Sequence, residues 1–141
     1  MDVPFAVLAD AANVSHDGKL NLLGVFVALR SAQSPITYPK MFVVFHARAD
    51  MGDKGVQHEI KIYLRDPESK VIFEVSPIFF TFPHEDPNVN PVLPLIVELT
   101  SVFFAQYGPH YFEICIDNKV SRKLELSVEP LVLRVEENAH E

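Results

Sequence analysis

Apolar positions along the chain recur with a period of two, in runs rich in Val, Ile, Phe and Tyr, broken by turn residues roughly every ten positions. That rhythm predicts strands. The clearest run sets Ile60, Ile62 and Leu64 against Glu59, Lys61, Tyr63 and Arg65, the alternation of a strand with one face in a core. Lys40 to Ala49 reads the same way, with Met41, Val43, Phe45 and Ala47 inward. So do Val71 to Val75, the short aromatic run Ile78 to Phe82, Leu95 to Leu99, Tyr111 to Ile116 and Leu124 to Val128. Val132 to Val135 adds a short last strand. Phe5 to Val14 is apolar on both parities, with Phe5, Val7, Ala9 and Ala11 on one and Ala6, Leu8 and Ala12 on the other, and is expected to be well buried.

The residues between these runs have turn chemistry. Asp17-Gly18 fits the centre of a two-residue hairpin, where a positive φ is needed, and Lys19 to Leu29 is then the return strand. Asp66-Pro67-Glu68-Ser69 has Asp and Pro where a type I turn prefers them, and Asp117-Asn118 tolerates the left-handed conformation of a tight hairpin. Pro83 to Pro91 and Phe103 to Pro109 read as irregular connections, and the eleven prolines limit the length of any helix. About eight or nine strands in 141 residues predict an all-β fold, a two-sheet antiparallel β-sandwich forming a single domain over residues 1–141.

Two stretches carry a resemblance. Leu8-Ala9-Asp10-Ala11-Ala12-Asn13-Val14-Ser15 runs on through Asp17-Gly18-Lys19-Leu20-Asn21-Leu22-Leu23-Gly24-Val25-Phe26, and later comes Gly108-Pro109-His110-Tyr111-Phe112-Glu113-Ile114-Cys115-Ile116-Asp117. Together they resemble an uncharacterised family of short bacterial proteins classed as a domain of unknown function. The resemblance implies a small β-sandwich and no assigned activity. After Phe26 this chain has Val27-Ala28 where the family pattern has a polar pair. Gly108 to Asp117 also resembles the penultimate strand of immunoglobulin-like sandwiches, which implies a corner hydrogen bond from Tyr111.

Composition narrows the partners. Twelve Lys and Arg against nineteen Asp and Glu give a net charge of -7, which repels nucleic acid and anionic membrane surfaces. Residues 1–70 are neutral, with eight acids and eight bases, so the second half carries the whole excess, part of it in an acidic tail over 136–141. A solubilising role is expected of that tail. Cys115 has no partner for an intramolecular disulfide, the start of the chain lacks the pattern of a signal peptide, and Leu22 to Leu29 is too short to span a bilayer. These features point to a soluble protein of the reducing cytoplasm.

Candidate chemistry is sparse. The common phosphate-binding, nucleophile-elbow and zinc motifs are absent. Ser15-His16-Asp17 spells a triad, but consecutive residues entering a hairpin cannot converge on one proton path. His84, Glu85 and Asp86 in the proline-rich loop, with Asp50 and Asp53 on another, are metal-capable but match no ligand spacing. His46, His58 and His110 read as packing residues. Asp10 interrupts an apolar run and, if buried with Asn13, must be hydrogen-bonded or shifted in pKa. Cys115 has outward parity and no neighbouring base, so a catalytic thiolate is not expected.

Phe79, Phe80, Phe82, Phe103, Phe104 and Tyr107 cluster around the two irregular connections, and neighbours such as Phe79-Phe80 cannot both face one core. Some of them should reach a surface, where aromatic residues favour interfaces. The expectation is a non-enzymatic interaction module, a homo-oligomer or the accessory subunit of a protein partner, with no cofactor. The alternative is a small-molecule or metal-binding sandwich using the loop 83–94, and a hydrolase comes third.

Overall fold

The computed structural model describes residues 1–83 and 86–132. The described residues form nine strands: β1 (Asp2–Val14), β2 (Leu20–Phe26), β3 (Ala28–Ser31), β4 (Ile36–Arg48), β5 (Gln57–Arg65), β6 (Val71–Thr81), β7 (Val92–Phe104), β8 (Gly108–Ile116) and β9 (Lys119–Pro130). They make two sheets, one ordered β2-β1-β4-β7 and the other β3-β9-β8-β5-β6. The expected Val132 to Val135 strand and the acidic tail 136–141 lie outside the described residues, except Val132, which is in no strand.

The core is the set of inward parities. Met41, Val43, Phe45 and Ala47 of β4 meet Ile60, Ile62 and Leu64 of β5, Phe112 and Ile114 of β8, and Leu126 of β9, all essentially without exposure. Alternation puts every second residue of a strand on one face, so these positions were readable from the period alone.

Four expectations about the strands need correction. The sandwich is not wholly antiparallel, because β3 pairs in parallel with β9, from Ala28↔Ser127 to Ser31↔Pro130. Lys19 to Leu29 is accordingly not one strand: the chain leaves the first sheet after Phe26 and joins the second at Ala28, while the Val27 carbonyl accepts the Ser127 N–H at 3.0 Å. The two expected strands Val71 to Val75 and Ile78 to Phe82 are one, Val71–Thr81, with Phe82 beyond its end in an isolated bridge to Lys54. Pro77 sits within β6 because β6 is an edge strand and a register shift between Ile60 and Ile62 absorbs the extra residue. Phe103 and Phe104 belong to β7, whose register with β4 runs from Ile36↔Phe104 to Arg48↔Val92, so the connection to β8 spans only 105–107.

The turns follow their local chemistry. The first hairpin is not the expected two-residue turn centred on Asp17-Gly18: the Gly18 N–H donates to the Ser15 carbonyl, so His16 and Asp17 are the central turn residues and Gly18, with φ +86°, takes the bulge position of a three-residue loop. Asp66 accepts the Ser69 N–H with its carbonyl and the Glu68 and Lys70 N–H groups with Oδ1. Asp117 and Asn118 both have positive φ in the tight β8–β9 turn, as their residue types allow.

Candidate functional site

The two outer faces of the sandwich differ in kind. On the four-stranded sheet, registers Phe5↔His46, Val7↔Val44 and Ala9↔Phe42 join Phe42↔Glu98, Val44↔Ile96 and His46↔Pro94, and Ala9 sits opposite Val25 of β2. The outward layer is therefore Phe5, Val7, Ala9, Val25, Phe42, Val44, His46, Pro94 and Ile96, extended by Leu23. Val44 and Ala9 have no exposure although both lie outside the intersheet core. Neighbouring side chains of the same face cover them, including Phe5 and His46, whose rings approach to 5.3 Å. Leu23 and Val25 continue this face into solvent at 72% and 54% exposure.

Ion pairs bracket the layer. Arg48 makes a two-pronged contact with Asp2, at 3.0 and 2.6 Å, at one end, and Lys40 faces Glu98 at 3.8 Å at the other, with its ammonium over the Phe42 ring. Two bases and two acids leave this face neutral on a chain of net charge -7. The first strand's expected burial is thus met in part: Val3, ahead of the register shift between Asp2 and Phe5, enters the core with Ala6 and Leu8, and Ala9 is covered on the outer face, while Phe5 and Val7 are half-buried and Ala11 is exposed.

The six aromatic candidates do not form one patch. Phe82 and Phe104 are core residues, Phe80 packs against the core, and Tyr107 is half-buried with its hydroxyl donating to the Ser31 carbonyl at 3.0 Å. Only Phe79 and Phe103 are exposed, Phe79 opposite Glu59 on β5 and Phe103 opposite Thr37 on β4, in different sheets. Period two splits each adjacent pair between a core and a surface. Tyr111 makes no backbone corner; its hydroxyl meets that of Ser69 at 3.2 Å.

The polar candidates are also placed differently from expectation. Asp10 is exposed, because Gly24 lies opposite it without a side chain to cover it, and the Tyr38 hydroxyl donates to Asp10 Oδ1 at 3.0 Å. Gly24 has φ +68°, and a Cβ there would come within 2.4 Å of Asp10 Oδ2. Asn13 is likewise exposed and accepts from Asn21. Asp86 holds the Asn88 N–H, while Lys54 donates to the Asp86 and Val89 carbonyls; His84 and Glu85 lie outside the described residues. Among the described residues no three or more His, Cys, Asp or Glu side chains group as metal ligands.

Sequence reading missed the setting of His58. The ring is buried against Phe80 and Phe82, which also touch each other, its Nδ1 lies 2.7 Å from Asp117 Oδ2, and its Nε2 lies 2.7 Å from the Asp53 carbonyl. Both neighbours only accept, so the imidazole satisfies both as the doubly protonated cation. Burial lowers its pKa, but the Asp53 carbonyl and the Asp117 carboxylate outweigh that and hold it above its ordinary 6.5. Asp117 also accepts the Glu59 N–H and is held below the usual carboxylate value in spite of its partial burial. This cluster clamps the loop before β5 to the β8–β9 turn and offers no open coordination to a substrate.

The five-stranded sheet carries charge on its outer face. Glu113 is buried there, accepting from Arg65 Nε at 2.8 Å with Lys123 at 3.8 Å. Cys115 lies beside it at 8% exposure, and burial raises its thiol pKa, as does the Glu113 charge. An unreactive thiol follows.

Among the described residues no helix is long and apolar enough to cross a membrane. No curated protein matches the chain. The model of a family described as of unknown function (DUF6941) matches residues 4–129, nearly the whole chain, and the protein belongs to that family.

Proposed function

We propose that this protein works by association rather than catalysis, and that the outer face of its four-stranded sheet binds a second copy of the chain. The observation that carries the reading is the pair Val44 and Ala9, fully covered on an outer face by a continuous apolar layer. Such layers mark interaction surfaces when they are large. Three strands about 4.8 Å apart, β1, β4 and β7, over the eight-residue length that β1 shares with β4, give a footprint of about 380 Å², to which the exposed Leu23 and Val25 of β2 add. That is of the order of the ~800 Å² each partner gives to a standard interface.

Charge favours a second copy as the occupant. A chain at -7 repels its own kind everywhere except where its charges balance, and this face balances Asp2 and Glu98 against Arg48 and Lys40. A two-fold arrangement lets the acids of one copy meet the bases of the other. The immunoglobulin-like reading belongs with this proposal. Without β2 and β3, the orders β1-β4-β7 and β6-β5-β8-β9 correspond to A-B-E and C′-C-F-G. A single buried Cys115 suits a reducing cytoplasm.

Analytical ultracentrifugation of the full chain tests the association. The expected species has twice the 15.9 kDa monomer mass, and Val25→Lys with Ile96→Lys returns it to monomer, whereas Phe79→Lys does not. A wild-type monomer at high micromolar concentration overturns the reading.

A further inference from the structure

The loop 49–56 carries the chain from β4 in one sheet to β5 in the other, and His58, near the start of β5, ties it to the β8–β9 turn. The Asp53 carbonyl of the loop lies 2.7 Å from Nε2, and the Asp117 carboxylate of the turn lies 2.7 Å from Nδ1. Two acceptors on one ring need two protons. Loss of either proton leaves a ring lone pair facing an oxygen.

The acceptors decide which proton leaves. Hydrogen bonds to an ionised acceptor are about twice as strong as neutral ones, so the neutral ring keeps its proton on Nδ1, against the Asp117 carboxylate. Nε2 then faces the Asp53 carbonyl as acceptor against acceptor, too close for a bridging water. One element has to withdraw. The turn has two further bonds to β5, from the Asp117 N–H to the Glu59 carbonyl at 2.9 Å and from the Glu59 N–H to Asp117 Oδ1 at 3.0 Å. The loop is held by less: the Gly55 N–H donates to the Phe82 carbonyl at 3.2 Å, and Met51, Gly52, Gly55 and Val56 are exposed. Gly52 and Gly55, with φ of +93° and +76°, give it two pivots.

The other charges on these elements are already paired. The Met1 ammonium lies 2.6 Å from Asp50 and 3.1 Å from Asp53, Lys54 donates to the Asp86 and Val89 carbonyls, and Glu59 and Lys61 face each other at 3.7 Å. Phe80 and Phe82 make the remaining side of the ring apolar. We propose that His58 is a pH-operated latch: release of the Nε2 proton to solvent frees the loop 50–56 from this end of the sandwich, while the β8–β9 turn stays in place. The latch does not depend on self-association.

NMR of the isotope-labelled full chain across a pH series tests it, with the His58 ring nitrogens read by long-range proton–nitrogen correlation and backbone protection read by amide exchange. Above the titration the ring should carry its proton on Nδ1 alone. Protection of the Gly55 amide should fall about tenfold per pH unit just below the ring's midpoint and level off above it, while Glu59 and Asp117 keep theirs. His58→Gln, a neutral donor, should make Gly55 protection independent of pH. A neutral ring protonated at Nε2, a ring that keeps both protons until the chain unfolds, or a Gly55 step that persists in His58→Gln and so belongs to the Met1 ammonium would overturn the proposal. If His58→Gln fails to fold, the wild type decides by itself: a Gly55 midpoint that departs from that of the ring overturns the latch, and coincidence of the two supports it.

Discussion

The outer face of the four-stranded sheet and that of the five-stranded sheet are built from the same alternation yet solve burial in different ways. The first covers Val44 and Ala9 with other apolar side chains; the second buries Glu113 by surrounding it with Arg65 and Lys123. An apolar layer needs no specific partner and can be extended by another molecule. A buried carboxylate needs its bases in place, and it discourages another surface from displacing them. The difference shows that alternation decides which residues point outward, while the chemistry of those residues decides whether the outward face stays solvated.

The comparison fails completely if the shared core is emptied. Phe112→Ala removes a fully buried ring between the sheets and should cost about 3–5 kcal/mol, measured by urea unfolding with the midpoint shifted and both faces lost together. Next in size, Glu113→Ala strips Arg65 of its buried partner and should cost about 2–3 kcal/mol in the same assay.

A pH series sharpens the contrast. Asp117→Asn keeps an acceptor for the Glu59 N–H but removes the charge facing His58, and should cost about 1–2 kcal/mol. The folded pKa of His58 is raised, so its contribution is fully present below 6.5 and lost as pH rises through the folded value. The folded pKa of Asp117 is lowered, so its contribution is present above 3.8 and lost as pH falls through the folded value. The difference between wild type and variant should therefore be widest from 3.8 to 6.5 and shrink at alkaline pH, read from urea midpoints across that range. A difference that grew with alkaline pH would contradict the cationic ring.

The smallest stability effect is expected on the apolar face itself. Leu23→Lys sits at an exposed edge and should change unfolding free energy by less than about 0.5 kcal/mol. It should nonetheless weaken self-association, measured as the sedimentation-derived dissociation constant. Leu23→Lys thus touches assembly and not stability, whereas Glu113→Ala touches stability and not assembly.

The strands and their inward parities were legible because each is a local signal: Met41, Val43, Phe45 and Ala47 announce a face without reference to anything distant. Asp66-Pro67 and Asp117-Asn118 were legible because their conformations depend on their own side chains. The merging of Val71 to Val75 with Ile78 to Phe82 was hidden because Pro77 reads as a break unless the strand is known to lie at an edge. His58 looked like one packing histidine among three. Its partners Asp53 and Asp117 arrive from two separate turns, and no spacing in the chain links them. Adjacent aromatics drew attention to Phe79-Phe80 and Phe103-Phe104, while the apolar outward layer showed locally only in the second apolar parity of β1 and was completed by residues of β2, β4 and β7 brought alongside it.

Residue order alone determined that this is an all-β chain, where most of its strands lie, which side of each faces a core and where its hairpins turn, since period and turn chemistry act over a few residues. Tertiary structure decided the parallel pairing of β3 with β9, the apolar character of one outer face and the ring of His58 hydrogen-bonded at both nitrogens. Each of these depends on which distant strand lies alongside, and that choice is made by the packing of the whole sandwich rather than by any segment of it.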